Sequence, residues 1–128
     1  MKRNASHVAA LVIVAAIGFP SLAFGESAEE LLADCKPIAE AKVTGDRAFF
    51  ELSPETGQCW GAFTVLQGAS VWIDSPHHRV LGACTPASAK RTELIAVFVE
   101  YVQQHPESRH EDFVDVAMRA LQKAYPCQ

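Results

Sequence analysis

Apolar residues recur at three- and four-residue spacing in four stretches of the chain, separated by breaks that contain proline or glycine, and this pattern predicts four helices. In residues 27–43, Leu31, Leu32, Cys35, Ile38, Ala39 and Val43 share a side, Ser27 is placed to cap the start, and Glu29 and Glu30 suit the positive end of a helix dipole. Pro37 inside this stretch predicts a kink, or a helix that begins anew there. Residues 44–56, with Gly45 and Pro54, read as a connection that buries Phe49, Phe50 and Leu52 as an apolar plug and has room for one helical turn. Residues 57–73 suit either a helix or a strand, because Phe63, Thr64, Val65, Val71, Trp72 and Ile73 are good strand formers. Helix is favoured by Gly57, Gly61, Thr64, Gly68 and Ala69, which line one side at helical spacing and would let another helix approach closely.

Residues 74–84, with Pro76, His77, His78 and Gly82, predict a loop. In residues 88–104, Leu94, Ile95, Phe98, Val99, Tyr101 and Val102 give the broad apolar face of a central helix, which His105-Pro106 stops. Residues 111–125 place Phe113, Val116, Ala117, Ala120, Leu121 and Ala124 on one side, and Pro126 ends the pattern. The short link 106–110 makes the last two helices an antiparallel hairpin. The expected fold class is therefore all-α, a compact bundle of about four helices in one domain.

The N-terminus changes this picture by adding a leader. Lys2 and Arg3 precede an apolar run from Val8 to Phe19 that is too short to span a bilayer, and Ala23-Phe24-Gly25 offers the small-x-small pattern that a signal peptidase accepts. Residues 1–25 are read as a Sec-type signal peptide and 26–128 as the mature domain, with an uncleaved anchor as the other reading. That division predicts a periplasmic protein with no membrane association after cleavage.

Of the 11 basic residues Lys2 and Arg3 leave with the leader, while all 15 acidic residues remain, so the mature domain carries a net charge of 9 − 15 = −6. With no basic stripe, a nucleic-acid role is excluded on electrostatic grounds. The mature part holds four cysteines, Cys35, Cys59, Cys84 and Cys127, and export would oxidise them. Two disulfides follow from the even count, and three connectivities are open. The predicted hairpin sets the start of the third helix beside the end of the fourth, which pairs Cys84 with Cys127 and leaves Cys35 for Cys59.

No phosphate-binding glycine loop, zinc helix or nucleophile elbow is present in the sequence. The adjacent His77 and His78 lie in a loop without a further ligand at a recognisable spacing, and oxidised cysteines cannot act as thiolates. No catalytic residue, metal site or cofactor is expected, and the protein reads as a non-enzyme. Trp60 and Trp72 are read as core residues, with interface anchors as the alternative.

Several motifs occur together in order: Cys59-Trp60-Gly61-Ala62-Phe63 followed by Gly68, Cys84-Thr85-Pro86, the helix that closes in His105-Pro106-Glu107, and Ala120-Leu121 before Tyr125-Pro126-Cys127. This series resembles the Rap/Tai family of type VI secretion immunity proteins over most of the mature chain. The Asp46 to Thr56 connection, with its Phe49-Phe50 pair, departs from the family pattern. The resemblance implies a helical periplasmic protein, often a homodimer, that neutralises a secreted toxin, in characterised members a peptidoglycan amidase, by occluding its active site. It carries over no catalytic residues. The candidate contacts are instead exposed loop residues: Asp74, His77, His78 and Arg79 in one loop, and His105, Glu107 and Arg109 in the other. The alternatives are a periplasmic acid-stress chaperone of the HdeA type and an accessory subunit of an envelope complex.

Overall fold

The computed structural model describes residues 25–75 and 78–128, apart from the side chains of Asp74 and Ser75. The predicted leader up to residue 24, and Pro76 and His77, lie outside the described residues. Four helices carry the fold: α1 (Ala28–Ala39), α2 (Pro54–Ser70), α3 (Arg91–Gln104) and α4 (Phe113–Ala124). The all-α expectation needs correction at two places, because the connections form small antiparallel hairpins: β1 (Lys42–Thr44) with β2 (Arg47–Phe49), and β3 (Ile73–Ser75) with β4 (His78–Arg79).

Local chemistry fixes most helix ends. Ser27 caps α1 and Glu30 reaches back to the Ser27 backbone N–H, so two otherwise unpaired donors are satisfied reciprocally. The helix runs through Pro37 as one element and ends two residues later. Val43, assigned to this helix by its spacing, instead leaves it for β1, where β-branched Val43 and Thr44 precede a turn at Gly45 with φ of 60°. The expected start of the second helix moves three residues earlier, to Pro54. Ser53 and Thr56 form a second capping box there, and proline is suited to a first turn whose N–H groups lack partners.

The core is built around α3, which packs against each of the other three helices. Phe63 of α2, Phe98 of α3 and Phe113 of α4 meet with ring centroids 5.2–5.7 Å apart, in tilted and edge-on arrangements that aromatic quadrupoles favour. Leu31, Ile38, Leu94, Ile95, Val102, Val116 and Leu121 fill the space around them. The disulfides join Cys35 to Cys59, between α1 and α2, and Cys84 to Cys127, between the segment before α3 and the end of α4.

Three burial expectations are overturned. Phe49 and Leu52 are not a plug: they are 61% and 84% exposed, and only Phe50 turns inward, against Trp60. The glycine stripe on α2 does not receive a helix, since a Cβ built at Gly57, Gly61 or Gly68 meets no atom within 4 Å. Trp60 is partly buried against the core, whereas Trp72 is 68% exposed.

Candidate partner-binding site

The two predicted contact loops lie at opposite ends of the α3–α4 hairpin. Residues 105–110 form the turn from α3 into α4, whereas β4 leads into Leu81 and Cys84, which are tied to Gln122 and Cys127 at the far end of α4. A 12-residue helix separates them by about 18 Å, so they do not make one surface.

The 105–110 turn is held rigidly from behind. The first two N–H groups of α1, those of Ala28 and Glu29, donate to the carbonyls of Glu111 and Arg109, and Phe113 N–H returns a bond to Glu26. These contacts satisfy helix-terminal donors that lack intrahelical partners. The buried Ser108 donates its hydroxyl to the His105 carbonyl and closes a short 3-10 turn, Pro106–Ser108. On the outer side, the His105 ring stacks on Tyr101 with centroids 4.4 Å apart. Its Nδ1 lies 3.0 Å from Glu107 Oε1, and its Nε2 lies 3.3 Å from Lys123 Nζ. Since an ammonium only donates, Nε2 accepts and Nδ1–H donates to the carboxylate. A hydrogen bond from its own backbone, and then the His105 ring, hold Glu107 below the usual carboxylate pKa. Arg109 Nε is shielded from solvent without an acceptor among the described residues. The structure thus brings His105 and Glu107 together on the outer side of one preorganised turn, and Arg109 follows them in that turn with its Nε shielded.

The other loop is only partly described. Asp74 lies in β3, His78 pairs with Ser75 across the hairpin, His77 is outside the described residues, and Arg79 Nη1 approaches the carbonyl of Ser70 at the end of α2.

A third surface escaped sequence reasoning. Between the β1–β2 hairpin, α2 and the start of α3 lies an open groove of about 620 Å³. Because strand side chains alternate, Val43 and its cross-strand partner Ala48 turn toward it while Lys42 and Arg47 do not. Phe50 and Trp60 form its floor, and Arg91 lies over the Trp60 ring with its guanidinium carbon 4.5 Å from the centroid. At the rim, Lys90 Nζ is 2.7 Å from Asp46 Oδ1; this hydrogen bond and the opposite charge lower the Asp46 pKa and raise that of Lys90. The sequence signal was the Phe49-Phe50 pair in an unusually long connection. Nothing in the spacing tied it to Arg91 forty residues later.

Among the described residues, no group of three or more His, Cys, Asp or Glu side chains is placed to hold a metal ion, and no helix is long and apolar enough to cross a membrane. The family model of the Rap1a immunity proteins matches residues 27–127, which is the folded part from the α1 cap to the last cysteine. No curated protein and no solved structure matches the chain.

Proposed function

We propose, because the chain belongs to the Rap1a immunity protein family, that it is exported to the periplasm and there neutralises a type VI secretion toxin, a peptidoglycan amidase, by stoichiometric occlusion of the toxin's active site. The observation that carries this reading is the extent of the family match, which takes in all four helices and both disulfides. Both cysteine pairs are oxidised, which suits a compartment that maintains disulfides. Within this reading, the 105–110 turn enters the toxin cleft. A tip fixed by α1 loses little freedom on binding, so more of its contact energy appears as affinity. Arg79, with Asp74, His77 and His78, would form a secondary contact at the other end of the hairpin.

The test is capture by the tagged full-length chain, expressed with its own leader and recovered from the periplasm, followed by mass spectrometry. Recovery of one secreted hydrolase in near-equimolar yield, with the bait beginning at Glu26, supports the proposal. A Glu107→Lys variant, at a side chain that is 70% exposed, should then lose the hydrolase while keeping its fold. Capture of nothing at neutral pH, with many unrelated proteins bound after acidification, would replace the inhibitor with an acid chaperone.

A further inference from the structure

We infer that the groove between the β1–β2 hairpin, α2 and the start of α3 is a second docking site, and that its occupant is an acidic segment of the partner protein. The segment presents a glutamate or aspartate carboxylate to Arg91 and an adjacent apolar side chain to the groove wall. The identity of the partner as the toxin rests on the immunity reading; the chemistry of the segment rests on the groove alone.

The argument starts from Arg91. Its Nε donates to Gln67 Oε1 at 3.2 Å, and Gln67 is itself fixed because its amide donates to the Ala89 carbonyl at 3.0 Å. Its guanidinium carbon sits over the Trp60 ring. Those contacts immobilise the group but leave its two terminal nitrogens without a hydrogen-bond or ion-pair partner among the described residues. A planar guanidinium held over an aromatic ring and through its Nε offers its terminal nitrogens as a fork for two parallel bonds to a carboxylate. Ordering a free arginine costs side-chain entropy, and here that cost is met within the fold.

The other charges in the groove point to the same ligand. Its charged lining consists of Asp46, Lys90 and Arg91; Asp46 pairs with Lys90, which also feels the charge of Glu93, and Arg91 has no ion pair among the described residues, so it is the cation the groove has to offer within a net-negative molecule. A single cation fits a single carboxylate, whereas a polyanion backbone would seek a row of cations. The rest of the lining is mainly apolar, and Val43 and Leu52 stand 59% and 84% exposed at its edges. An apolar neighbour of the acidic residue would cover them, and the groove volume lies within the range of sites that enclose a ligand. Conversely, a lysine-bearing segment would meet Arg91 without a compensating charge.

The test uses the oxidised protein recovered from the periplasm, isotopically labelled, and three capped peptides: leucine-glutamate-leucine, its glutamine isostere and its lysine counterpart. The glutamate peptide should shift the Trp60 indole and Arg91 Nε–H resonances, at least about ten-fold more tightly than the glutamine peptide, a loss equivalent to one charge-assisted bidentate contact. The lysine peptide should leave both unmoved. Arg91→Ala should abolish the shift, and Arg91→Lys, which keeps the charge and the stem but not the fork, should weaken it. Equal response to glutamate and glutamine, shifts confined to the Trp72 indole, unaltered binding by Arg91→Lys, or no response at all would each overturn the site. The immunity reading is judged separately. If the hydrolase is captured equally well by wild type and Arg91→Ala, the groove fails and the inhibitor stands; if no hydrolase is captured, the inhibitor fails and the peptides still decide the groove.

Discussion

Two carboxyl groups on α1 respond to pH in opposite directions. Partial burial, followed by the negative charges of Glu26, Glu55 and Glu30, raises the Asp34 pKa. A carboxyl whose pKa is higher folded than unfolded binds protons more strongly in the folded state, so its ionisation opposes folding at neutral pH and that opposition disappears as pH falls through the raised value. Asp34→Asn should therefore raise the urea midpoint at pH 7 and leave it unchanged near pH 3. Glu30 behaves in the reverse sense, since hydrogen bonds from the Ser27 backbone and hydroxyl lower its pKa. Its contribution is complete above the unfolded value of about 4.5 and is lost as pH drops through the lower folded value. Glu30→Ala should lower the urea midpoint at pH 7, with the difference closing in acid. Ser27 and the acidic first turn were legible because capping is local. The crowding around Asp34 was not, because Glu55 joins it only when α2 packs on α1.

At the scale of elements, long periodic helices were readable and short irregular segments were not. Leu94 to Val102 on α3 and Phe113 to Leu121 on α4 repeat often enough to define a buried face. The β1–β2 hairpin has three residues per strand, too few for alternation to stand out, and Val43 also fits the helical spacing of α1. The α2 stripe was read correctly in its period and wrongly in its direction. Its glycines face open space, so no partner helix supports them within the chain, and each weakens the helix relative to alanine. Gly61→Ala should then stabilise the protein by roughly 0.5–1 kcal/mol, since the new methyl meets no neighbour and the unfolded chain loses freedom. A denaturant titration with an unchanged slope would register this gain. At the opposite limit, Phe98→Ala empties the place where Phe63 and Phe113 meet and should cost about 3–5 kcal/mol in the same titration.

For the whole molecule, the two disulfides were predictable from the order of the helices, but their different surroundings were not. The hairpin of α3 and α4 brings Cys84 to Cys127, across 43 residues of sequence, as its antiparallel geometry requires. Cys35 and Cys59 then close a 24-residue separation inside the core, both fully buried. Chain-entropy arguments assign the two closures similar values, about 4 and 3.5 kcal/mol respectively. Their accessibility differs more than their entropy, because Cys127 is exposed beside the chain end while a thiolate can reach the Cys35–Cys59 bond only when α1 and α2 part. Under mild reductant in native buffer, Cys84 and Cys127 should be alkylated first, with Cys35 and Cys59 reacting only as the molecule unfolds globally; mass spectrometry over a time course separates the two. Between these steps the protein should retain the α1–α2 contact and the groove at Arg91 while the α4 end loosens. Peptide binding at the groove should therefore survive the first reduction and disappear with the second. Simultaneous reaction of all four cysteines would mean that the molecule opens as one unit and that the Cys84–Cys127 bond has no separate lability.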